Sequence, residues 1–241
     1  MDAYRVHALG ALLAADPYPG RGIVIGKTAD GQKAVAAYFI MGRSQNSRNR
    51  VFEERAGEIF TAPWDASRVQ DPSLIIYRAV RQDQNHLIVT NGDQTDTVYD
   101  GLQKGLGLAE SLAGRAFEPD APNYTPRISG LLTFAEGDFT YEMSILKSAD
   151  AEGSACARYT FAYPALPGLG HFLHTYAGDG NPLPPFAGEP ERVALGSDID
   201  AITREIWTGL NEDNKISLYV RAVDLATGQA DSRLVNKNKG E

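Results

Sequence analysis

The chain has 241 residues, 43% of them hydrophobic, and a formal charge of −8. That length suits one large domain or two small ones, with enough apolar residue for a real core. A net negative chain argues against broad nucleic-acid binding, which needs a basic face, but leaves room for a small anion in a local basic pocket. The lone Cys156 rules out an intrachain disulfide and a Cys-rich zinc site, and in "SACARYTFAY" it reads as a small buried residue. No stretch approaches the roughly 20 apolar residues of a membrane span. The opening "MDAYRVHALGALLAADPYPG" reads as a short helix rather than a secretion signal, so a cytoplasmic location is expected.

Along the chain, "GIVIGKT" and "QKAVAAYFIMG" flank the turn "ADG" and predict a β-hairpin. "EIFTAP", "LIIYRAVRQ" and "HLIVTNG" predict three further strands. The period then changes. Val98, Leu102, Leu106, Ala109 and Ala113 recur at three to four residues and predict one helix through "TDTVYDGLQKGLGLAESLAGRAF", capped by Thr95 or Asp96. Its glycines suggest a face packed closely on a neighbour. "ISGLLTFA" and "FTYEMSILKSA" predict a second hairpin across "EGD", and "ARYTFAYPAL" and "HFLHTYAG" continue the β series. "GDGNPLPPFAGEPE" is too rich in proline for a regular element. "SDIDAITREIWTGL" predicts a second helix with Ser197 as N-cap, Asp200 three residues on, and a stripe of Ile199, Ile202, Ile206 and Leu210. "KISLYVRAVDL" is the last predicted strand and "NKNKGE" a frayed tail. Without a repeat or a dividing linker, residues 1–241 are expected to form a single α+β domain with largely antiparallel sheets.

Four features could carry chemistry. "FIMGRSQNSRNRVFEE" crowds Arg43, Arg48 and Arg50 into one loop. Like charges repel, so the cluster points to an anion, whether Glu53, Glu54 or a ligand; the plain alternative is a solvated loop with local salt bridges. Tyr77 and Arg78 lie in a strand, where Tyr77 could be an ordinary half-buried tyrosine. "TNGDQTDT" runs from a strand end into a helix and could hold an anion on backbone N–H groups, although Asn91 and Gly92 also suit a simple turn. "FEPDAPNYTPR" puts Glu118, Asp120 and Arg127 in one loop, where Glu118 could merely pair with Arg115. His171 and His174 in "HFLH" fall on opposite faces of a strand, so no metal site is expected there. "GKT" at 26–28 lacks the preceding glycine spacing of a phosphate loop.

These features occur in one order: "GRSQNSRNR", "DPSLIIYRAV", "VTNGDQTDTVYDGL", "FEPDAPNYTPRISG". In that order and spacing the chain resembles the IMP cyclohydrolase family typified by the archaeal enzyme of purine synthesis. The resemblance covers about residues 20–132 well and the C-terminal half loosely, through "HTYAGDGNPLPPFAGEPE". It implies a four-layer αββα fold like that of N-terminal-nucleophile hydrolases, without their nucleophile chemistry; the opening Met1-Asp2 offers no Ser, Thr or Cys for that role.

The family reaction closes 5-formamidoimidazole-4-carboxamide ribotide (FAICAR) to inosine monophosphate (IMP) with loss of water. By position the resemblance implies Arg50, Tyr77 and Glu118 as catalytic residues, and Arg48, Asn91, Gly92 and Arg127 as substrate-binding residues. The implied ligand is a purine nucleotide monophosphate, whose phosphate the basic loop would suit. No metal or organic cofactor, nucleic acid or membrane partner is expected, and a homo-oligomer is. The chain departs from the archaeal pattern in its longer "SQNSRNR", in Asp93-Gln94 where a serine and a histidine stand, and in the proline-rich C-terminal segment. Two other readings stay open: a hydrolase of another amide, and a catalytically silent nucleotide-binding protein.

Overall fold

A computed structural model describes residues 4–69 and 76–239. In chain order, helix α1 (Leu9–Ala15) precedes β1 (Arg21–Lys27) and β2 (Lys33–Met41). A single turn α2 (Gln45–Arg48) leads to β3 (Arg50–Arg55), β4 (Glu58–Pro63), β5 (Arg78–Gln82) and β6 (His86–Thr90). Helices α3 (Gln94–Leu102) and α4 (Leu108–Ser111) come next, then β7 (Arg127–Ala135), β8 (Asp138–Ser148), β9 (Cys156–Pro164), β10 (Leu169–His174) and β11 (Glu191–Ala194). Helix α5 (Ile199–Gly209) and strands β12 (Lys215–Asp224) and β13 (Ala230–Asn236) complete the set. No helix among the described residues is long and apolar enough to cross a membrane.

The strands form two antiparallel sheets, as the α+β pattern predicts. One is ordered β11-β10-β1-β2-β12-β13, and the other is a plain meander from β3 to β9. β1 and β2 are buried almost end to end. Their unbroken apolar runs suit central strands covered on both faces. On one face Ile23, Ile25, Tyr38 and Ile40 meet Phe52, Val80, Leu87, Leu132 and Met143 of the meander. On the other, Val24, Val35 and Phe39 pack with Leu9 and Leu13 of α1 and Ile202 and Ile206 of α5. The meander's far face is covered near its middle, where Ile88, Leu131 and Leu146 receive Val98, Leu108 and Leu112 from α3 and α4.

Several local expectations are corrected. The single helix predicted across 95–117 is two short ones. Gly105 takes φ +77 and ends the first, Gly107 caps the second, and the buried positions become Val98, Leu108 and Leu112. Leu106 is exposed instead, because a left-handed residue ends the helical period. Only Gly101 serves close packing, since a Cβ there would lie 2.0 Å from Ser111 Oγ. Asp93, not Thr95 or Asp96, stands at the start of α3; Thr95 is buried and bonded to Thr90 and the Arg78 carbonyl. Asp198, not Ser197, caps α5 by accepting from the Asp200 N–H, while Ser197 accepts from Asp30. The stripe of Ile199, Ile202, Ile206 and Leu210 is buried as predicted. Cys156 is half-buried rather than buried.

β12 is not the last strand, because β13 pairs along it. Asn236, assigned to a frayed tail, is buried and exchanges two hydrogen bonds with the Phe52 backbone at 2.7 and 3.0 Å. That clasp ties β3 to the first sheet. "RVFEE", the end of the stretch read as an arginine loop, lies in β3 (Arg50–Arg55). "DPSL" and the first two residues of the predicted strand "LIIYRAVRQ" lie outside the described residues, as do the last two of the tail.

Candidate active site

Arg50 opens β3 and is buried to 1% exposure. The turn before it is built by a capping box, in which the Ser44 hydroxyl accepts from the Ser47 N–H and the Ser47 hydroxyl accepts from the Ser44 N–H. This turn presents the Ser47 carbonyl to Arg50 Nε at 2.7 Å, while Nη2 donates to the Met41 carbonyl at 3.0 Å. Nη1 is buried without a partner. Burial, and then the nearby Arg21, pull the Arg50 pKa down. A guanidinium still keeps its proton at working pH.

Tyr77 stands just before β5, pinned by its carbonyl to the Thr61 N–H (2.9 Å) and by its N–H to the Thr61 hydroxyl (2.9 Å). Its hydroxyl lies 2.7 Å from that of Tyr38 on β2, so the phenol pair bridges the two sheets. Burial raises the Tyr77 pKa against the opposing pull of Arg50 and Arg21. Tyr38 is raised well above the usual tyrosine value, by burial first and then by Tyr77.

Glu118 is buried to 2% exposure in the loop before β7, its N–H bonded to the Thr125 carbonyl. Thr125 in turn donates its N–H and hydroxyl to Asp120 and touches the Tyr176 hydroxyl at 2.6 Å. Arg21, the first residue of β1, brings Nη2 to 3.8 Å from Glu118 Oε2, and its Nε is also buried without a partner. Burial lifts the Glu118 pKa above the ordinary carboxylate value, opposed by Arg21, Arg127 and Arg50. On Arg21 burial opposes the charge, but Glu118 and the neighbouring phenols outweigh it, so its pKa rises well above the usual value.

Asn91, Gly92 and Arg127 form an adjoining network. Asn91 Nδ2 donates to the Pro126 carbonyl, and Oδ1 accepts from Ile128 N–H and Gln94 Nε2. Arg127 Nη1 donates to Gln94 Oε1 at 2.8 Å and pairs with Asp93 at 2.7 Å. Gly92 leaves the room for this, because a Cβ there would sit 2.4 Å from Arg127 Nη1. Asp93 and Gln94, where the chain departs from the archaeal pattern, thus hold Arg127 in place.

The other arginines of the loop do not join the cluster. Arg43 pairs with Asp179, donates to the Gly180 carbonyl at 2.9 Å, and lies over the Tyr18 ring. Arg48 donates to the Gly42 carbonyl (3.0 Å) and Asn214 Oδ1 (3.1 Å), beside Lys215 and Lys237 in a separate cleft. The three arginines crowded in sequence therefore do not make one anion site: α2 and the strand after it send them in different directions. Arg78 pairs with Glu58 and Asp96. His171 and His174 have separate partners, the Tyr141 hydroxyl and the Tyr176 carbonyl. Among the described residues no three His, Cys, Asp or Glu side chains group as metal ligands.

The structure thus brings Arg50, Tyr77 and Glu118 into one buried neighbourhood and adds Arg21 and Tyr38, which the sequence reading does not single out. A signal for both exists. Arg21 opens an unbroken apolar strand, and Tyr38 is the lone hydroxyl in "AVAAYFIM".

A family model described as IMP cyclohydrolase-like protein matches residues 18–228. The chain is 32% identical over 151 residues to an IMP cyclohydrolase of Methanopyrus kandleri, covering 59% of this chain and 75% of that one. It is 29% identical over 163 residues to an IMP cyclohydrolase of Methanococcus aeolicus, covering 66% and 74%. An IMP cyclohydrolase of Methanothrix thermoacetophila matches at 31% over 120 residues, 48% of this chain and 58% of that one.

Proposed function

The chain belongs to the IMP cyclohydrolase-like family, and from that premise we propose that it closes FAICAR to IMP with loss of water, as an enzyme of purine biosynthesis. One observation carries the assignment of the site. Arg50 Nη1 and Arg21 Nε are buried guanidinium donors without partners, beside a phenol pair and a buried carboxylate. Buried charged donors are costly unless something accepts from them, and an oxygen gaining negative charge in a reaction is such an acceptor.

In the reaction the carboxamide nitrogen attacks the formyl carbon. A C–N bond forms as the formyl C=O π bond opens and its oxygen gains charge. That oxygen takes up two protons and leaves as water, balanced by one proton lost from the carboxamide nitrogen and one from the formamide nitrogen as the ring C=N bond forms. Arg50, supported by Arg21, stabilises the oxygen as the carbon becomes tetrahedral. Tyr77 is held protonated by burial and supplies a proton to the departing oxygen. Glu118, its basicity raised by burial, takes the carboxamide proton. Asn91, Gly92 and Arg127 form the adjoining wall that holds the ring in register. Arg48 stands apart, and our reading leaves it out of the pocket.

The stacking of α1 and α5, the two sheets, and α3 and α4 supports reading the fold as a four-layer αββα sandwich resembling N-terminal-nucleophile hydrolases. A cytoplasmic homo-oligomer completes the proposal, on the family resemblance. The test is direct: purified protein with FAICAR, followed by absorbance as IMP forms. Steady production of IMP is the expected result; none from folded protein would sink the reading.

A further inference from the structure

Two buried phenols that share one hydrogen bond have two hydrogens and one shared contact, so the pair has a direction. The Tyr38 side chain is fully buried, stacked on Phe52 at 5.4 Å. Among the described residues its hydroxyl touches only the Tyr77 hydroxyl, at 2.7 Å. If Tyr77 were the donor, the Tyr38 hydrogen would be buried with nothing to accept it, an arrangement folded proteins avoid. If Tyr38 is the donor, its own hydrogen is satisfied, and Tyr77, which keeps 6% of its surface exposed where Tyr38 keeps 0%, has its hydrogen available to a group outside the pair. The packing therefore selects the second arrangement.

We propose that Tyr38 is a positioning residue that donates its hydroxyl hydrogen to Tyr77, which turns the Tyr77 hydrogen toward the substrate and steadies the phenolate left when that hydrogen is transferred. The proton leaves the Tyr77 oxygen for the departing oxygen of the carbinolamine, and the Tyr38 hydrogen bond strengthens as charge appears on the phenol. The charged groups facing Tyr77 are Arg50 from β3, Arg21 from β1 and Glu118 from the loop before β7; Tyr38 comes from β2. The two arginines favour the phenolate and Glu118 opposes it, and Tyr38 is the hydroxyl bonded to the Tyr77 oxygen. This deepens the cyclohydrolase reading and rests on it for its kinetic arm.

The kinetic test is a double-mutant cycle. Tyr38→Phe removes one hydroxyl and keeps the ring that packs on Phe52. It should lower kcat about tenfold, the effect of one hydrogen bond to a group gaining charge, with KM little changed. In a Tyr77→Phe background the same substitution should cost nothing further, because Tyr38 acts through Tyr77. An equal loss in both backgrounds would overturn the proposal. A second arm needs no activity. With fluorotyrosine placed at position 77 of the full chain, fluorine NMR follows its ionisation. Tyr38→Phe should move the midpoint up by about one pH unit, the same tenfold factor. An unmoved or lowered midpoint overturns the proposal. Failure to turn over FAICAR would sink the functional reading alone, since the fluorine titration decides the pair independently.

Discussion

The Asn91 network and the Arg50 cluster are both polar, both buried, and both set against strands of the meander sheet. They differ in how completely they satisfy themselves. Asn91, Gln94 and Arg127 exchange hydrogen bonds with one another, with Pro126 and with Ile128, and none of their fully buried side-chain nitrogens or oxygens lacks a partner. In the cluster, Arg50 keeps one guanidinium nitrogen and Arg21 another without an acceptor. Burial alone marks neither as a site. A self-satisfied network does not depend on a ligand for its own hydrogen bonds and serves as a fixed wall, whereas a cluster with surplus donors is stabilised by whatever brings an acceptor.

The largest expected effects fall on the unsatisfied side. Tyr77→Phe and Glu118→Gln each remove a positioned acid–base group and should lower kcat about 10²–10⁴-fold. Arg50→Ala removes an oxyanion donor and should cost about 10²–10³-fold. Circular dichroism should be unchanged in all three. Turnover near wild type in folded Glu118→Gln would take Glu118 out of the mechanism and leave orientation as the main source of catalysis.

The satisfied network should respond in stability instead. Asn91→Ala strands the Ile128 N–H, the Pro126 carbonyl and one donor of Gln94 inside the protein. Each orphan costs about 1–3 kcal/mol, and partial relaxation brings the expected total to about 3 kcal/mol. Urea unfolding would measure it. A variant as stable as wild type would show that Asn91 holds nothing together, and the contrast between the two regions would fail.

That contrast also separates what was legible in the sequence from what was not. The meander follows from local signals: apolar runs and turns such as "DQN" and "EGD" place neighbouring strands side by side. The other sheet joins β1 and β2 to β10 and β12, more than a hundred residues away, and no local pattern encodes that pairing. The site divides in the same way. Arg50, Tyr77 and Glu118 could be aligned to the family because the four strings that carry the resemblance follow one another in one order and spacing, although the arginine loop alone is not distinctive. Arg21 and Tyr38 lie in strands whose apolar runs read only as core, and their role appears when two sheets close on each other. Arg48 shows what adjacency alone does not decide: it stands two residues from Arg50, yet its guanidinium bonds the Gly42 carbonyl and Asn214 while that of Arg50 bonds the Ser47 and Met41 carbonyls.

A third buried pair sharpens the comparison, because it is satisfied yet able to titrate. His171 Nδ1 lies 2.7 Å from the Tyr141 hydroxyl, and its ring stacks on Tyr163 at 3.6 Å. Burial, and then Arg192, push its pKa down from an ordinary 6.5 to about 4. The unfolded chain therefore takes up this proton first. The stability contributed by the neutral ring is complete above pH 6.5 and is lost as pH falls toward 4, by up to about 3 kcal/mol. His171→Gln removes the titration, and urea unfolding across that range should show a slope shallower by about one proton. Parallel curves for the two proteins would mean that His171 ionises alike folded and unfolded.

The smallest expected effect belongs to Arg48, two residues from Arg50 and a test of whether sequence crowding or geometry defines the pocket. Its guanidinium donates to the Gly42 carbonyl and Asn214, and it lines a cleft with Lys215, Lys237 and Asn238 rather than the buried cluster. Arg48→Ala removes partly exposed bonds, so stability should change by about 1 kcal/mol or less. With no part in the reaction, it should leave kcat and KM for FAICAR within about threefold, a free-energy change below about 0.7 kcal/mol. The two guanidiniums would then differ by at least an order of magnitude in catalytic effect despite their closeness in the chain. A rise in KM of tenfold or more with kcat unchanged would instead identify Arg48 as a ground-state contact to the nucleotide and extend the pocket to its side of α2.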